Sequence, residues 1–562
     1  MKRLLQALEK HADSLIAAAL FVCYLTALLA TTGSLGFMRD EGFYFAAARS
    51  YDAWFERLLQ SPSEALSPAV VDRYWSVNHE HPSLIKSLFA LSHRFLGGLF
   101  SETSTSFRLP GMLLSSLAVM VTFSWGRRVL GRSAGIVAAL SFAFMPRVFF
   151  HAHLACFDLP VCSLWLVTSY VYVRSLTSTR RAWVVGAGVL FGLMLDTKHN
   201  SWIFPFALAA HFLLTQALPA WRDWREKRPF LRRLPRAWLS MLLLGPPLFY
   251  ALWPWIWRDT LARLQQYVHF HTGHEYYNME FLGRTYFEPP MPLGYAWVMT
   301  FATVPLVTLL LGVVGAASAL QRARTSDDPH RSDYAFWAVS LLMSYAPWLS
   351  SNTPIFGGTK HWMTAYPFLC LFAGLGFVRV CQALVAVAPR LGLPALVGCC
   401  VLVGPLAMTA HSHPFGLSAY TPLVGGAPGA ASLGLNRTFW GYTTQSLAPF
   451  INQRAPQRGI VYVHDTALQS FAMFQEDGRL RRDLRGSLDI ATSDVALYHH
   501  EPHMSRVEHQ IWATYGSVAP DAVVAFDGVP IAWAYSRTKL PKPTKAAAPR
   551  LEPTDPGRGR AP

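Results

Sequence analysis

Charge is what this sequence has least of. Only 15% of its 562 residues are Asp, Glu, Lys or Arg, against 52% apolar and 14% aromatic residues, and the mean hydropathy is positive at +0.24. Such a chain cannot cover a water-facing globule, so a polytopic α-helical membrane protein is expected. Cysteine is scarce as well. All seven (Cys23, Cys156, Cys162, Cys370, Cys381, Cys399 and Cys400) sit in or beside apolar runs, without metal-ligand spacing, and none falls in the polar C-terminal region. A disulfide framework is therefore not expected. Acidic residues are outnumbered 33 to 49, giving a net charge of +16. The basic residues lie in short clusters between apolar runs, as cytoplasmic loops do, which argues against nucleic acid as a partner. No internal repeat is visible, which speaks against an inverted-repeat transporter.

What the chain does have is long apolar runs. Runs fit to cross a hydrocarbon core of about 30 Å occur near 14–36, 107–125, 133–150, 157–173, 182–196, 200–218, 237–257, 295–318, 334–350, 362–380 and 392–410, about eleven spans. The first is too long for a signal-peptide core and lacks a small-x-small cleavage site, so it reads as a retained anchor. The segment 82–100 is apolar but carries Lys86, His93 and Arg94, and is expected to lie at the interface.

Arginine and lysine set the orientation. The linkers 126–132, 174–181, 221–236 and 321–331, with the N-terminal "MKR", hold most of the positive charge and are assigned to the cytoplasm. The Arg/Lys-rich 221–236 loop reads first as a topology determinant, with anionic-lipid binding as a lesser option. The outward loops then carry the acids and histidines: Asp40 and Glu41, "NHEHP" (78–82), "FFHAHLACFD" (149–158), "DTKHN" (196–200), "HFHTGHEYYNME" (269–280) and "GGTKHW" (357–362). A plasma-membrane protein follows, with a cytoplasmic N-terminus and the C-terminal region outside.

Three units are expected: a membrane domain over 1–411, an extracytoplasmic α/β domain over 412–540 and a disordered tail over 541–562. In the second, "GIVYVHD" (459–465), "SDVALYHH" (493–500) and "DAVVAFDGVPIAWAYSR" (521–537) read as strands around a helical "TALQSFAMFQEDG". The proline- and alanine-rich tail has little to bury.

A carboxylate just beyond a span lies at the lip of the bilayer, where a lipid-borne substrate presents its head group. Partial desolvation there makes a carboxylate a better base for a hydroxyl, and the aromatic stretch 43–59 is expected to lie in the interface beside it. On the same face stand the cations Lys86, Arg147, Lys198 and Lys360, and histidines including His361, suited to a departing phosphate. Plainer roles exist for several of these. Asp158 before "LPV" reads also as a helix cap, and Lys198 and Lys360 as snorkelling side chains. His151 and His153, two apart, suit hydrogen bonding better than a metal, and "LWPWIWRD" (252–259) suits an interfacial belt better than a sugar platform.

The order "MRDEGFYFAAA", "NHEHPSLIKSLFAL", "MPRVFFHAHLACFDLP", "GLMLDTKHNSW", "YFEPPMP" and "GGTKHWMTAYPFLCLFAG" resembles the family 39 glycosyltransferases of the GT-C superfamily, over roughly residues 10 to 410. That group includes dolichyl-phosphate-mannose protein mannosyltransferases and bacterial aminoarabinose transferases. "LVGGAPGAASLGLNRTFWGY" (423–442) resembles a segment after the last span in bacterial members.

The resemblance implies inverting transfer of a sugar from a polyprenyl-phosphate donor to a glycan, lipid or protein acceptor outside the cytoplasm. It makes Asp40 the catalytic carboxylate with Glu41 its neighbour, and Asp158 the second acidic position. No cofactor is required, since the leaving group is already a phosphate. Some bacterial members hold a divalent metal, and here Glu80 would bind it with a histidine drawn from His269, His271 and His274; Glu80 and His271 are carried forward. The chain departs from its relatives in having only the short loop 259–292 where the eukaryotic mannosyltransferases carry a β-trefoil, and His81 where aminoarabinose transferases usually have lysine. A reading of a different class is a lipid-linked sugar flippase or transporter, which would keep ionisable residues mid-span.

Overall fold

Lipid offers the backbone no hydrogen-bond partners, so apolar runs of this length are stable across it only as helices. The computed structural model describes residues 2–324, 328–355, 357–387 and 392–537; the expected tail lies outside them. Each of the eleven apolar runs is helical. Among the described residues, seven of these segments are long and apolar enough to cross a membrane, and an eighth is a pair, Arg132–Ala143 and Pro146–Ala152, bent by 71°. The sequence count was higher because hydropathy sees apolar runs and not their helical length: Arg181–Leu195 and Arg331–Tyr345 have 15 residues each and Arg236–Leu252 has 17, about 22 to 26 Å. In the bent pair Pro146 begins the second helix, where a missing N–H costs nothing.

Small residues let the spans touch backbone to backbone. Leu306–Arg324 and Tyr366–Val387 cross so closely that a Cβ on Gly315 would lie 1.8 Å from the Phe372 carbonyl oxygen, and one on Gly376 2.0 Å from that of Leu311.

The remainder builds a cap at one end. The strands β1 (Met279–Phe281) and β2 (Arg284–Tyr286) form a hairpin, and β3 (Ile460–Tyr462), β4 (Arg485–Ser487), β5 (Val495–His499), β6 (Ala522–Phe526) and β7 (Val529–Ser536) form a mixed sheet in the order β4-β3-β5-β7-β6. β3 runs parallel to both neighbours, while β5–β7 and β6–β7 are antiparallel. The three strand segments read from sequence are β3, β5 and the β6–β7 hairpin; the three-residue β4 has no alternation to betray it.

The outer side of this cap has a small cluster of its own, Tyr462, Ala496, Tyr498, Ile511 and Tyr535, but its inner side shares its core with the membrane domain. One apolar cluster joins Phe37, Phe45, Trp54 and Phe107 to Phe471, Phe474, Val495 and Ala534. The Arg39–Gln60 helix is therefore sandwiched rather than lying in the interface: Tyr44, Phe45, Tyr51 and Trp54 are buried, with Tyr51 stacked on Trp75 at 4.0 Å. Gly42 is needed here, because a Cβ would fall 2.6 Å from Ser470 Oγ. Trp253 and Trp255 are likewise core residues, not an interfacial belt, since the Thr260–Thr272 helix folds back over them through Tyr267. The 13-residue Leu84–Leu96 helix packs on the same core through Ile85 and Phe89 and is too short to span.

Candidate active site

The N-terminus of Arg39–Gln60 separates the adjacent acids. Successive helical residues diverge by about 100°, so Asp40 and Glu41 face different surroundings. Glu41 is fully buried and takes Arg108 bidentately, Oε1 from Nε and Oε2 from Nη2, both at 2.8 Å. It also accepts the Met38 N–H at 3.0 Å and the Ala155 N–H at 2.9 Å. With its oxygens thus engaged, Glu41 is a clamp between three chain segments, not the catalytic partner expected.

Asp40 opens instead onto a cleft of about 190 Å³. All six outward loops converge on it: Asp40 from the first, Glu80 and His81, Asp158, Lys198, His271, and Lys360 with His361. Asp40 is 23% exposed and lies 3.7 Å from Lys360 Nζ and 3.8 Å from Arg39 Nε. Asp158, at the start of the Asp158–Thr177 helix, accepts a 2.6 Å hydrogen bond from Lys198 Nζ. Arg39, Lys198 and Lys360 thus share the cleft with Asp40, Glu80 and Asp158, and the two lysines are paired with Asp158 and Asp40, so that an incoming anion meets lysines already held in place.

The Gly358–Ala365 turn carries both Lys360 and His361. Gly357 and Gly358 have φ of +71° and +62°, values that suit glycine. Asn200 Nδ2 donates to the His361 carbonyl at 3.1 Å, tying this turn to the one carrying Lys198. Burial and the neighbouring His271 hold the His81 imidazole well below its usual pKa. Burial also lowers His271 to about 4, against the opposing hydrogen bond to the Glu80 carbonyl.

Two expected phosphate ligands do not line the cleft. Lys86 is fully buried; its ammonium donates to the Asn78 backbone carbonyl and, at 2.9 Å, to that of His81. It shapes the loop presenting Glu80 and His81 because its stem points under that loop. Arg147 lies in the layer behind, 5.3 Å from the Tyr420 ring centroid, with Nη1 3.6 Å from where a Gly358 Cβ would be. No carboxylate pairs with it among the described residues.

The expected metal pair also fits poorly. Glu80 and His271 share the cleft, but His271 Nε2 is engaged by the Glu80 carbonyl at 2.9 Å and Glu80 Oε1 by Asn78 Nδ2 at 2.6 Å. Among the described residues no group of three His, Cys, Asp or Glu is placed to hold a metal.

Three contributors went unread in the sequence. Trp440 lies beneath Lys360, Nζ 3.8 Å from its ring centroid, and its carbonyl accepts the Arg39 N–H at 3.0 Å. Arg39 itself reaches Asp465, beyond β3, at 2.9 Å. Tyr277 completes the rim. Trp440 and Arg39 stood in quoted segments, 423–442 and "MRDEGFYFAAA", and Asp465 ended the strand segment "GIVYVHD", but nothing in those segments marked these side chains as parts of the cleft.

Residues 81–255 match the dolichyl-phosphate-mannose-protein mannosyltransferase family. No curated protein matches the sequence. Among solved structures, ArnT from Cupriavidus metallidurans bound to undecaprenyl phosphate superposes with a TM-score of 0.50 at 15% identity, covering 92% of this chain and 97% of that one. Its apo form gives 0.50 at 16%, covering 92% and 98%. An oligosaccharyltransferase from Archaeoglobus fulgidus gives 0.45 at 10%, covering 88% and 70%. The chain is a multi-pass membrane protein with the GT-C fold, as the ordered motifs implied.

Proposed function

We propose that this GT-C membrane protein is an inverting glycosyltransferase. It moves a sugar from a polyprenyl-phosphate donor to an acceptor hydroxyl on the extracytoplasmic face, in a bacterial plasma membrane. The observation that carries the reading is the cleft: an accessible carboxylate, Asp40, within 3.7 Å of Lys360 and sharing its space with Lys198 and His361. The family match over 81–255 and the likeness to ArnT, whose structure holds undecaprenyl phosphate, support the donor class.

In this reading Asp40 takes the proton of the acceptor hydroxyl as its oxygen bonds to the anomeric carbon. The bond from that carbon to the phosphate oxygen breaks, and the lipid phosphate leaves with the electron pair toward Lys360, Lys198 and His361. Attack and departure on opposite sides invert the anomeric centre. Asp158 anchors Lys198, and Arg39 with Lys360 fixes Asp40. Membrane lipids surround the spans, and the cap over the cleft is where an acceptor would dock.

The experiment is transfer of radiolabelled sugar from a panel of polyprenyl-phosphate donors, with membrane extract as acceptor, by purified wild type and Asp40→Asn. Label moving onto an extract component with wild type alone supports the reading. Donor that binds wild type and keeps its sugar refutes it.

A further inference from the structure

A second cavity, of about 670 Å³, lies at the opposite end of the spans from Asp40. The 20-residue Asp158–Thr177 helix begins at the cleft and ends in this cavity, a rise of about 30 Å. Arg181–Leu195 starts in it and returns toward Lys198. The two sites thus face opposite head-group layers.

The cavity is a cup of arginines. Arg180, Arg181, Arg232, Arg233 and Arg236 line it, and no Asp or Glu does. Arg233 is paired with Asp223. Among the described residues no carboxylate pairs with the other four, although neighbouring arginines at the same end, Arg127 and Arg132, are taken by Asp13. Arginine forks suit phosphate oxygens in pairs. The floor is polar and already satisfied: His211 Nε2 lies 3.0 Å from Ser332 Oγ.

A separate observation gives the ligand its shape. At Thr215 the cup meets an apolar groove of about 530 Å³ between Phe204–Arg225, Leu306–Arg324 and Arg331–Tyr345. Gly312, Ala316, Ala319 and Ala323 keep one wall shallow, Leu342 and Phe372 complete the apolar lining, and Arg331 also lines the groove. A cationic cup continuous with a hydrocarbon-lined groove matches an amphiphile carrying an anionic head. We propose that the cup and groove together bind an anionic phospholipid of the leaflet opposite the catalytic cleft, phosphate among the arginines and one acyl chain along the groove. The site stands on its own geometry and is independent of the glycosyltransferase reading.

The test is competition against a fluorescent dioleoyl-phosphatidylglycerol bound to the purified protein in neutral detergent. Unlabelled dioleoyl-phosphatidylglycerol should displace it at a concentration at least tenfold below that needed of dioleoyl-phosphatidylcholine. Inorganic phosphate and dihexanoyl-phosphatidylglycerol should each need at least tenfold more. The triple variant Arg180→Gln/Arg232→Gln/Arg236→Gln should weaken binding tenfold or more, with Arg324→Gln at the same end unchanged. Ala316→Trp, an exposed position that fills the groove and keeps every arginine, should do the same, and decides the matter should the triple variant not insert. Equal displacement by phosphatidylcholine, unaltered binding in Ala316→Trp, or an equal loss in Arg324→Gln overturns the proposal. Displacement by inorganic phosphate as effective as by the lipid means a free-anion site and overturns it too.

Discussion

Asp40 and Glu41 are chemically near twins whose tasks diverge because one faces the cleft and the other a buried guanidinium. Asp40→Asn keeps the shape and removes the base, so kcat should fall about 100- to 10,000-fold while donor binding stays within a few-fold of wild type; single-turnover kinetics beside a donor-binding assay check both. His271 gives a pH dependence. The unfolded chain binds its proton near 6.5 and the folded chain only near 4, so between these values the unfolded state holds more protons. Stability should be constant in this respect above 6.5 and fall as the pH drops toward 4. Thermal unfolding of wild type against His271→Gln reads it: the variant should show the shallower decline. Neither division of labour was legible from "DE" or from three nearby histidines, because burial is decided by partners far along the chain.

At the scale of the element, the Arg39–Gln60 helix depends on the clamp at its first turn. Glu41 joins the Met38 and Ala155 backbone to Arg108, 67 positions away. Removing one member of such a pair leaves a buried charge unmatched, at about 3–5 kcal/mol. Glu41→Ala and Arg108→Met should each destabilise by about that much. The double variant Glu41→Met/Arg108→Met should recover part of the loss, read from detergent-solubilised thermal melts. The helices themselves were legible, since apolar runs and proline positions are local. Their lengths were less so. The aromatic face of 43–59 misled because an amphipathic helix looks the same whether its apolar side meets lipid or, as here, Phe107 and Phe474.

For the whole molecule, the cap and the first outward loop are joined by polar and apolar contacts. Ser470 Oγ donates to the Met38 carbonyl at 2.9 Å, Arg479 pairs with Glu102 at 2.7 Å, and the apolar cluster runs across both. Truncation after Ser412 would strip that cluster of nearly half its buried members and release Arg39 from Asp465. Such a protein should aggregate or elute as a broad, inactive species on size exclusion, whereas a cap that folded apart would leave a monodisperse membrane domain.

The sequence by itself determined the membrane character, the helical spans, the loops rich in acids and histidines, and three of the cap's strand segments. Hydropathy, charge and periodicity act over a few residues, and each of these features is written within a few residues. Only the tertiary structure decided that six loops meet at one cleft, that Asp40 enters it while Glu41, Lys86 and Arg147 stand behind, and that Trp440 and Asp465 hold the cleft from the far end of the chain. Those outcomes rest on contacts between segments hundreds of positions apart, where a side chain's role is set by what the fold brings against it.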